Sequence, residues 1–367
     1  MDDTNVVLIT GVSGYWGSRI ASKLLSANEG GEGREYPFTN VHVIGLDAEP
    51  PEDDLKGLDF IQADIRNPLF VEILRTEQVD VIIHLAFQEN YFPNEKAFDF
   101  NVIGTMKVLG AASEAGVHKV ILRSSTEVYG ANPTNPAFLT EHDPLNGNKN
   151  NGSIQNLIEI ESFVNGFRQQ MQEMVVTVLR FASAIGPNID SPMTRFLQHN
   201  PPFTLFGFDP LMQVIHENDV EGAILFALEN DVQGVFNIAA EGILPLGKLL
   251  GLAGRFPFPV PHFCAYWGNH MLKFTDYKFQ QRFPIEPDYL RYPWVTDLAA
   301  MRETMGFIPT YTAEEALREF AGHLRLEKYK SDLVDMTYDE ERLRDTLERR
   351  RRIRQQQDLQ NEQVPNE

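Results

Sequence analysis

The sequence holds a single cysteine, Cys264, in 367 residues, so no internal disulfide can staple it. That suits a reducing compartment, and a cytoplasmic location is expected. No apolar run approaches the ~20 residues needed to span a bilayer. The segment from Met1 to Thr10 lacks the basic start and cleavage site of a secretory signal. Positive charge is scarce: 32 Lys and Arg face 52 Asp and Glu, a formal net charge of -20. Residues 331–367 carry 10 acidic and 7 basic residues, or -3, which leaves -17 on the rest. Such a body repels a phosphate backbone, so nucleic acid is excluded as an expected ligand. Internal repeats are absent, which argues against solenoids and propellers. No metal site is expected.

What the chain does have is apolar residues enough for a large core, 43% of the total. They fall in short runs. Val6 to Thr10, Val41 to Leu46, Phe60 to Ile61, Val79 to Ala86, Lys119 to Leu122, Val175 to Arg180 and Val235 to Ile238 read as strands. Helical spacing fills residues 14–26, 68–76, 96–115 and 154–168 between them. Alternation of this kind predicts crossover units and a parallel sheet, and unbroken apolar strands predict cover on both faces. The expected fold is α/β, a Rossmann-type doubly wound parallel sheet. Residues 1–180 form its dinucleotide-binding domain, with the sheet completed by about 213–240. Residues 28–40 are polar and glycine-rich, an exposed excursion. Proline- and aromatic-rich stretches mark 181–330 as a smaller substrate-side domain, and 331–367 as a charged tail. Within the tail, Tyr338 to Gln357 has no Gly or Pro and predicts an exposed helix that frays towards Glu367.

The most informative local feature is a strand, then Gly11-Val12-Ser13-Gly14-Tyr15-Trp16-Gly17, then a helix. One glycine permits the tight turn, one lets backbone approach a pyrophosphate, and one lets the helix pack on its strand. Asp47 closes the second strand, where a carboxylate accepts hydrogen bonds from the ribose hydroxyls of NAD and repels the extra phosphate of NADP. No Lys or Arg follows until Lys56. NAD is therefore the expected cofactor.

The Gly11–Gly14–Gly17 spacing, one residue wider than the standard fingerprint, resembles the extended short-chain dehydrogenase/reductase family of NAD-dependent epimerases and dehydratases. Further segments resemble it in the same order: Ala63-Asp64-Ile65, His84-Leu85-Ala86, Asn101 to Thr105, Ser124 to Gly130, Leu179-Arg180 with Gly186-Pro187, and His216 to Val220. By that resemblance Tyr15 and Trp16 offer backbone amides to the pyrophosphate, and Asp64 and Ile65 contact the adenine. Leu85, Ala86 and Phe87 line the cofactor channel, Asn101 belongs to the cofactor site, and Ser124 and Ser125 face the nicotinamide. A small-molecule substrate, a sugar nucleotide or related hydroxyl compound, and a homodimer also come with the resemblance. Each residue has a plainer reading too. His84 in its apolar strand reads as a hydrogen-bonded core residue, Asp219 as a helix N-cap, Asn101 as a helix-surface residue, and Tyr129 as a packing residue.

The family's chemistry needs a Tyr, a Lys four residues later, and an upstream Ser. The ammonium and the cofactor's charge favour the phenolate, so the Tyr can exchange a proton at neutral pH. Ser125 answers to the serine. Anchoring on Glu161 puts Ser153 at the Tyr position and Leu157 at the Lys position; anchoring on Glu159 gives Asn151 and Gln155. Neither register restores the pair. Lys149, Tyr91, Tyr266 and Tyr277 stand in loops from which a substitute acid could come. Two functions remain open: an NAD-dependent enzyme with a relocated acid/base, or an NAD-holding sensor or complex subunit that has lost the chemistry.

Overall fold

A computed structural model describes residues 5–28, 41–199, 201–272, 285–326 and 329. The expected tail helix, the 29–40 excursion and Tyr277 lie outside them.

The apolar runs become β1 (Asn5–Thr10), β2 (Val41–Asp47), β3 (Asp59–Gln62), β4 (Val81–His84), β5 (Lys119–Ser125) and β6 (Val175–Phe181). Between them run α1 (Tyr15–Asn28), α2 (Phe70–Thr76), α3 (Glu95–Phe98), α4 (Gly104–Ala115) and α5 (Gly152–Gln170). After β6 come β7 (Ser183–Ile185), α6 (Pro192–Gln198), β8 (Phe203–Leu205), β9 (Leu211–Met212), β10 (Val214–His216), α7 (Glu217–Glu229) and β11 (Gly234–Ile238). One seven-stranded sheet results, in the order β11-β6-β5-β4-β1-β2-β3. All of its pairings are parallel. Chain order reverses between β1 and β4, and a doubly wound sheet opens its ligand crevice at that point, outside the carboxyl ends of the strands.

Both faces of the sheet are covered, as continuous apolar strands require. Val7, Ile9, Ile83 and Ile121 pack with Ile20 and Leu24 of α1 and Ile224 of α7. Leu8, Ile44, Ile82 and Val120 pack on the other side with Leu74 of α2, Leu109 of α4 and Val164 of α5. Each such side chain contributes about 1.5–3 kcal/mol when fully buried. Polar anchors fix the helices' positions. The fully buried Glu221 of α7 takes both Arg19 and Lys23 of α1. Glu161 of α5 binds Arg180 of β6 at 2.5 Å, and Arg180 donates in turn to the Tyr129 hydroxyl, also at 2.5 Å.

Residues 96–115 do not form the single helix their spacing predicts. Five residues, Asp99–Ile103, wind as a π-turn between α3 and α4. The cause is Asn101, which is fully buried rather than on the helix surface. Its side chain accepts from the Gln88 amide at 2.7 Å and donates to the Gln88 carbonyl at 2.8 Å. Widening the helix by one residue is what lets that side chain reach the loop after β4.

Residues 1–318 form one compact unit and residues 319–367 a second. No helix among the described residues is long and apolar enough to cross a membrane.

Candidate active site

The glycine loop is built by close approach. Gly11 has φ +74°, and a Cβ there would sit 2.6 Å from the Ala86 amide nitrogen. A Cβ on Gly17 would overlap the Gly11 carbonyl. Gly14 differs: its φ is ordinary, it is exposed, and a Cβ would meet only the Gly11 oxygen at 3.4 Å. Among the described residues nothing demands glycine there, and the position is open to an approaching group. Asp47 finishes β2 beside this loop, accepting from the Ser13 amide at 3.1 Å and the Ala48 amide at 2.7 Å.

A cavity of about 530 Å³ opens from the loop across the carboxyl ends of the strands. The three glycines, Tyr15 and Trp16 form one end of its wall. Leu85 and Phe87 follow from the loop after β4, Ser124 and Ser125 from the end of β5, and Ser153 and Leu157 from the first turns of α5. Neighbouring strands β1, β4 and β5 deliver these groups to one crevice because a parallel sheet points every carboxyl end the same way.

Other expected site residues stand off the wall. Ala86 is buried behind Gly11. Asp64 is held by Arg66 at 2.6 Å, which keeps its carboxyl below the usual range. Ile65 is buried, with its side chain against Gly104. Asn101 shapes the loop that carries Phe87 rather than facing the cavity. His84 sits between Thr10 (2.7 Å to Nδ1) and Thr105 (2.9 Å to Nε2). Thr105 gives its proton to the Asn101 carbonyl, so it accepts from Nε2–H, and Nδ1 accepts from Thr10. Burial holds this imidazole neutral, with its pKa down at about 4. Tyr129 is buried, and its hydroxyl donates to Asn237 at 2.8 Å.

Asp219 is not the cap of α7. His216 is the N-cap, and its ring accepts from the Asn218 amide at 3.2 Å. The Asp219 carboxylate accepts instead from the Thr310 and Tyr311 amides, at 2.7 and 3.0 Å.

Ser153 is engaged by its neighbour: its hydroxyl accepts from the Asn90 amide at 2.8 Å and donates to the Asn90 carbonyl at 3.1 Å. Lys149 is exposed in a turn and does not line the cavity. Tyr266 does not line it either; its hydroxyl donates to Asp288 at 2.5 Å. Tyr91 does line it, but burial first and Glu286 second push its phenol up to about 12.

The cavity wall also carries charged groups that the motifs do not mark: Glu89, Arg123, Glu127 and Glu286, beside Asp190 and Arg195. Glu127 lies on the 3-10 turn Thr126–Tyr129 that follows β5. Its amide donates to the Ser125 hydroxyl at 3.2 Å, and its carbonyl accepts from Tyr289 at 3.0 Å. Burial, reinforced by Glu286 and Glu89, pushes its carboxyl from 4.5 up to about 7. Two signals are present in the sequence: a carboxylate two residues after Ser125, and an arginine directly after the apolar run Val120 to Leu122.

A family model described as the NAD dependent epimerase/dehydratase family matches residues 7–239. An uncharacterized protein of Mycobacterium tuberculosis is 32% identical over 324 residues, covering 86% of this chain and 83% of the relative. A dTDP-D-glucose 4,6-dehydratase of Bos taurus is 29% identical over 269 residues, covering 66% of this chain and 71% of the dehydratase. A short-chain dehydrogenase/reductase superfamily protein of Agrobacterium tumefaciens, solved with bound NAD, has a TM-score of 0.66 at 22% identity. That match covers 89% of this chain and 99% of the other.

Proposed function

The chain belongs to the NAD dependent epimerase/dehydratase family, and we propose that it oxidises and re-reduces a hydroxyl-bearing carbon of a sugar nucleotide, with Glu127 as its acid/base. NAD, when bound, supplies the hydride acceptor and donor. The glycine loop fits that group, because Gly14 is open where neither fold nor backbone angle requires a glycine. Gly11, Gly14, Gly17, Tyr15 and Trp16 hold the pyrophosphate end. Asp47 keeps lone pairs for the ribose and sets the preference for NAD over NADP. Asp64 and Ile65 lie towards the adenine, Leu85, Ala86 and Phe87 along the channel, and Ser124 at the nicotinamide end. Asn101 acts through Gln88 as a positioning residue.

The observation that carries the reading is Glu127. Burial pushes the Glu127 carboxyl on the cavity wall up to about 7, into the neutral range. It therefore both takes and returns a proton there, as a general acid/base requires. Ser125 accepts from the Glu127 amide with one lone pair and keeps its own proton to hold the substrate oxygen. Ser153 fixes the Asn90 loop and serves the site as a positioning residue.

The test begins with cofactor content of the purified protein, read by absorbance and mass spectrometry. Turnover of dTDP-glucose and UDP-glucose is then followed against pH. Glu127→Gln is expected to retain NAD and lose about 10²–10⁴-fold in rate. Wild-type rates in that variant would refute the role.

A second reading is favoured by Leu157 on the cavity wall and by the prior engagement of Ser153: an NAD-holding subunit without turnover. Nicotinamide reduction in a single turnover with either sugar nucleotide would exclude it.

A further inference from the structure

Arg123 lines the cavity from the same face of β5 as Ser125, since residues two apart on a strand point the same way. Its guanidinium makes no hydrogen bond or ion pair among the described residues. Glu89 acts on it through space without coming within ion-pair distance. The other arginine on the wall, Arg195, is already paired with Asp190 at 3.0 Å. Glu286 accepts from the side chains of Asn148 and Asn151, at 2.5 and 3.3 Å. A guanidinium that faces the cavity without a protein partner is open to a ligand, and its five fixed donors match the two oxygens of a carboxylate or phosphate.

The cofactor's pyrophosphate is badly placed to be that partner. It belongs at the glycine loop after β1, while Arg123 is on β5, with β4 between them. Two strand spacings separate the sites by about 10 Å. The anion then comes from the substrate, whose diphosphate and any sugar carboxylate are the two choices, and the place of Arg123 two residues from Ser125 on β5 favours the sugar end.

We propose that Arg123 seats a carboxylate of the substrate, so that the chain acts on a nucleotide-linked uronic acid rather than on a neutral hexose. This rests on the assignment of the cavity as the catalytic site. The carboxylate on the guanidinium fixes the sugar's orientation relative to Ser125 and Glu127. It also gives a partner to the one arginine of the wall that has none among the described residues, Arg195 being paired with Asp190.

The test titrates NAD-loaded protein with UDP-glucuronate and with UDP-glucose, which differ at that one substituent. Wild type is expected to bind the uronate at least about tenfold more tightly, the scale of one good charged contact. Arg123→Met should abolish the preference while leaving NAD affinity unchanged, and Arg123→Lys should restore only part of it. Equal affinities in the wild type, or a preference that survives in Arg123→Met, overturns the proposal. So does binding of neither sugar nucleotide by a protein that holds NAD. Failure to hold NAD would overturn the cofactor assignment instead.

Discussion

Folding changes the proton affinity of Glu127, and the sign of that change is measurable. Its pKa rises from 4.5 to about 7 because the neutral form suits the buried site and the charged form faces Glu286 and Glu89. The folded state therefore binds more protons than the unfolded state between those values. The stabilisation is fully present below 4.5 and is lost as pH rises through about 7. Glu127→Gln, neutral throughout, escapes that loss. Its melting temperature should match wild type near pH 4 and exceed it by roughly 2–5 °C at pH 8. A difference that does not vary with pH would show that Glu127 titrates normally. Glu127 could be read from the sequence as a letter inside a motif, but not as an acid of altered strength. The carboxylates that alter it come from positions 89 and 286, which only the fold brings near.

Among the elements, the glycine loop was the most legible. Strand, triplet and helix are contiguous in sequence, so their geometry is local. The three glycines nevertheless do different work, and substitution should separate them. Gly17→Ala is expected to destabilise the protein by about 1–3 kcal/mol or more, as overpacking does, because the new methyl meets backbone. Gly14→Ala should melt close to wild type and still weaken NAD at least about tenfold by blocking the pyrophosphate. Calorimetry of NAD binding with parallel melting curves checks both; a Gly14→Ala protein that binds NAD normally would remove the reason given for that glycine. The π-turn at Asp99–Ile103 was not legible. Apolar spacing there predicts an unbroken helix, and the interruption is imposed by the bond between Asn101 and Gln88.

At the scale of the whole molecule, the chain's acidity and its compact unit of residues 1–318 leave the last stretch as a separate question. Truncation after Lys330 is expected to leave NAD affinity and the sizing profile unchanged. Loss of either would show that the tail packs into the fold or an oligomer. The sequence by itself determined the sheet: the strands announce themselves as short apolar runs because burial on both faces admits polar residues only where they find partners, as His84 and Arg180 do. It determined the cofactor loop because strand, glycines and helix are contiguous there. The tertiary structure alone decided which charged groups meet in the cavity. Arg123, Glu127, Glu89 and Glu286 come from distant segments, and their chemistry depends on desolvation and mutual distance. Neither quantity exists until the strands' carboxyl ends close around one cavity.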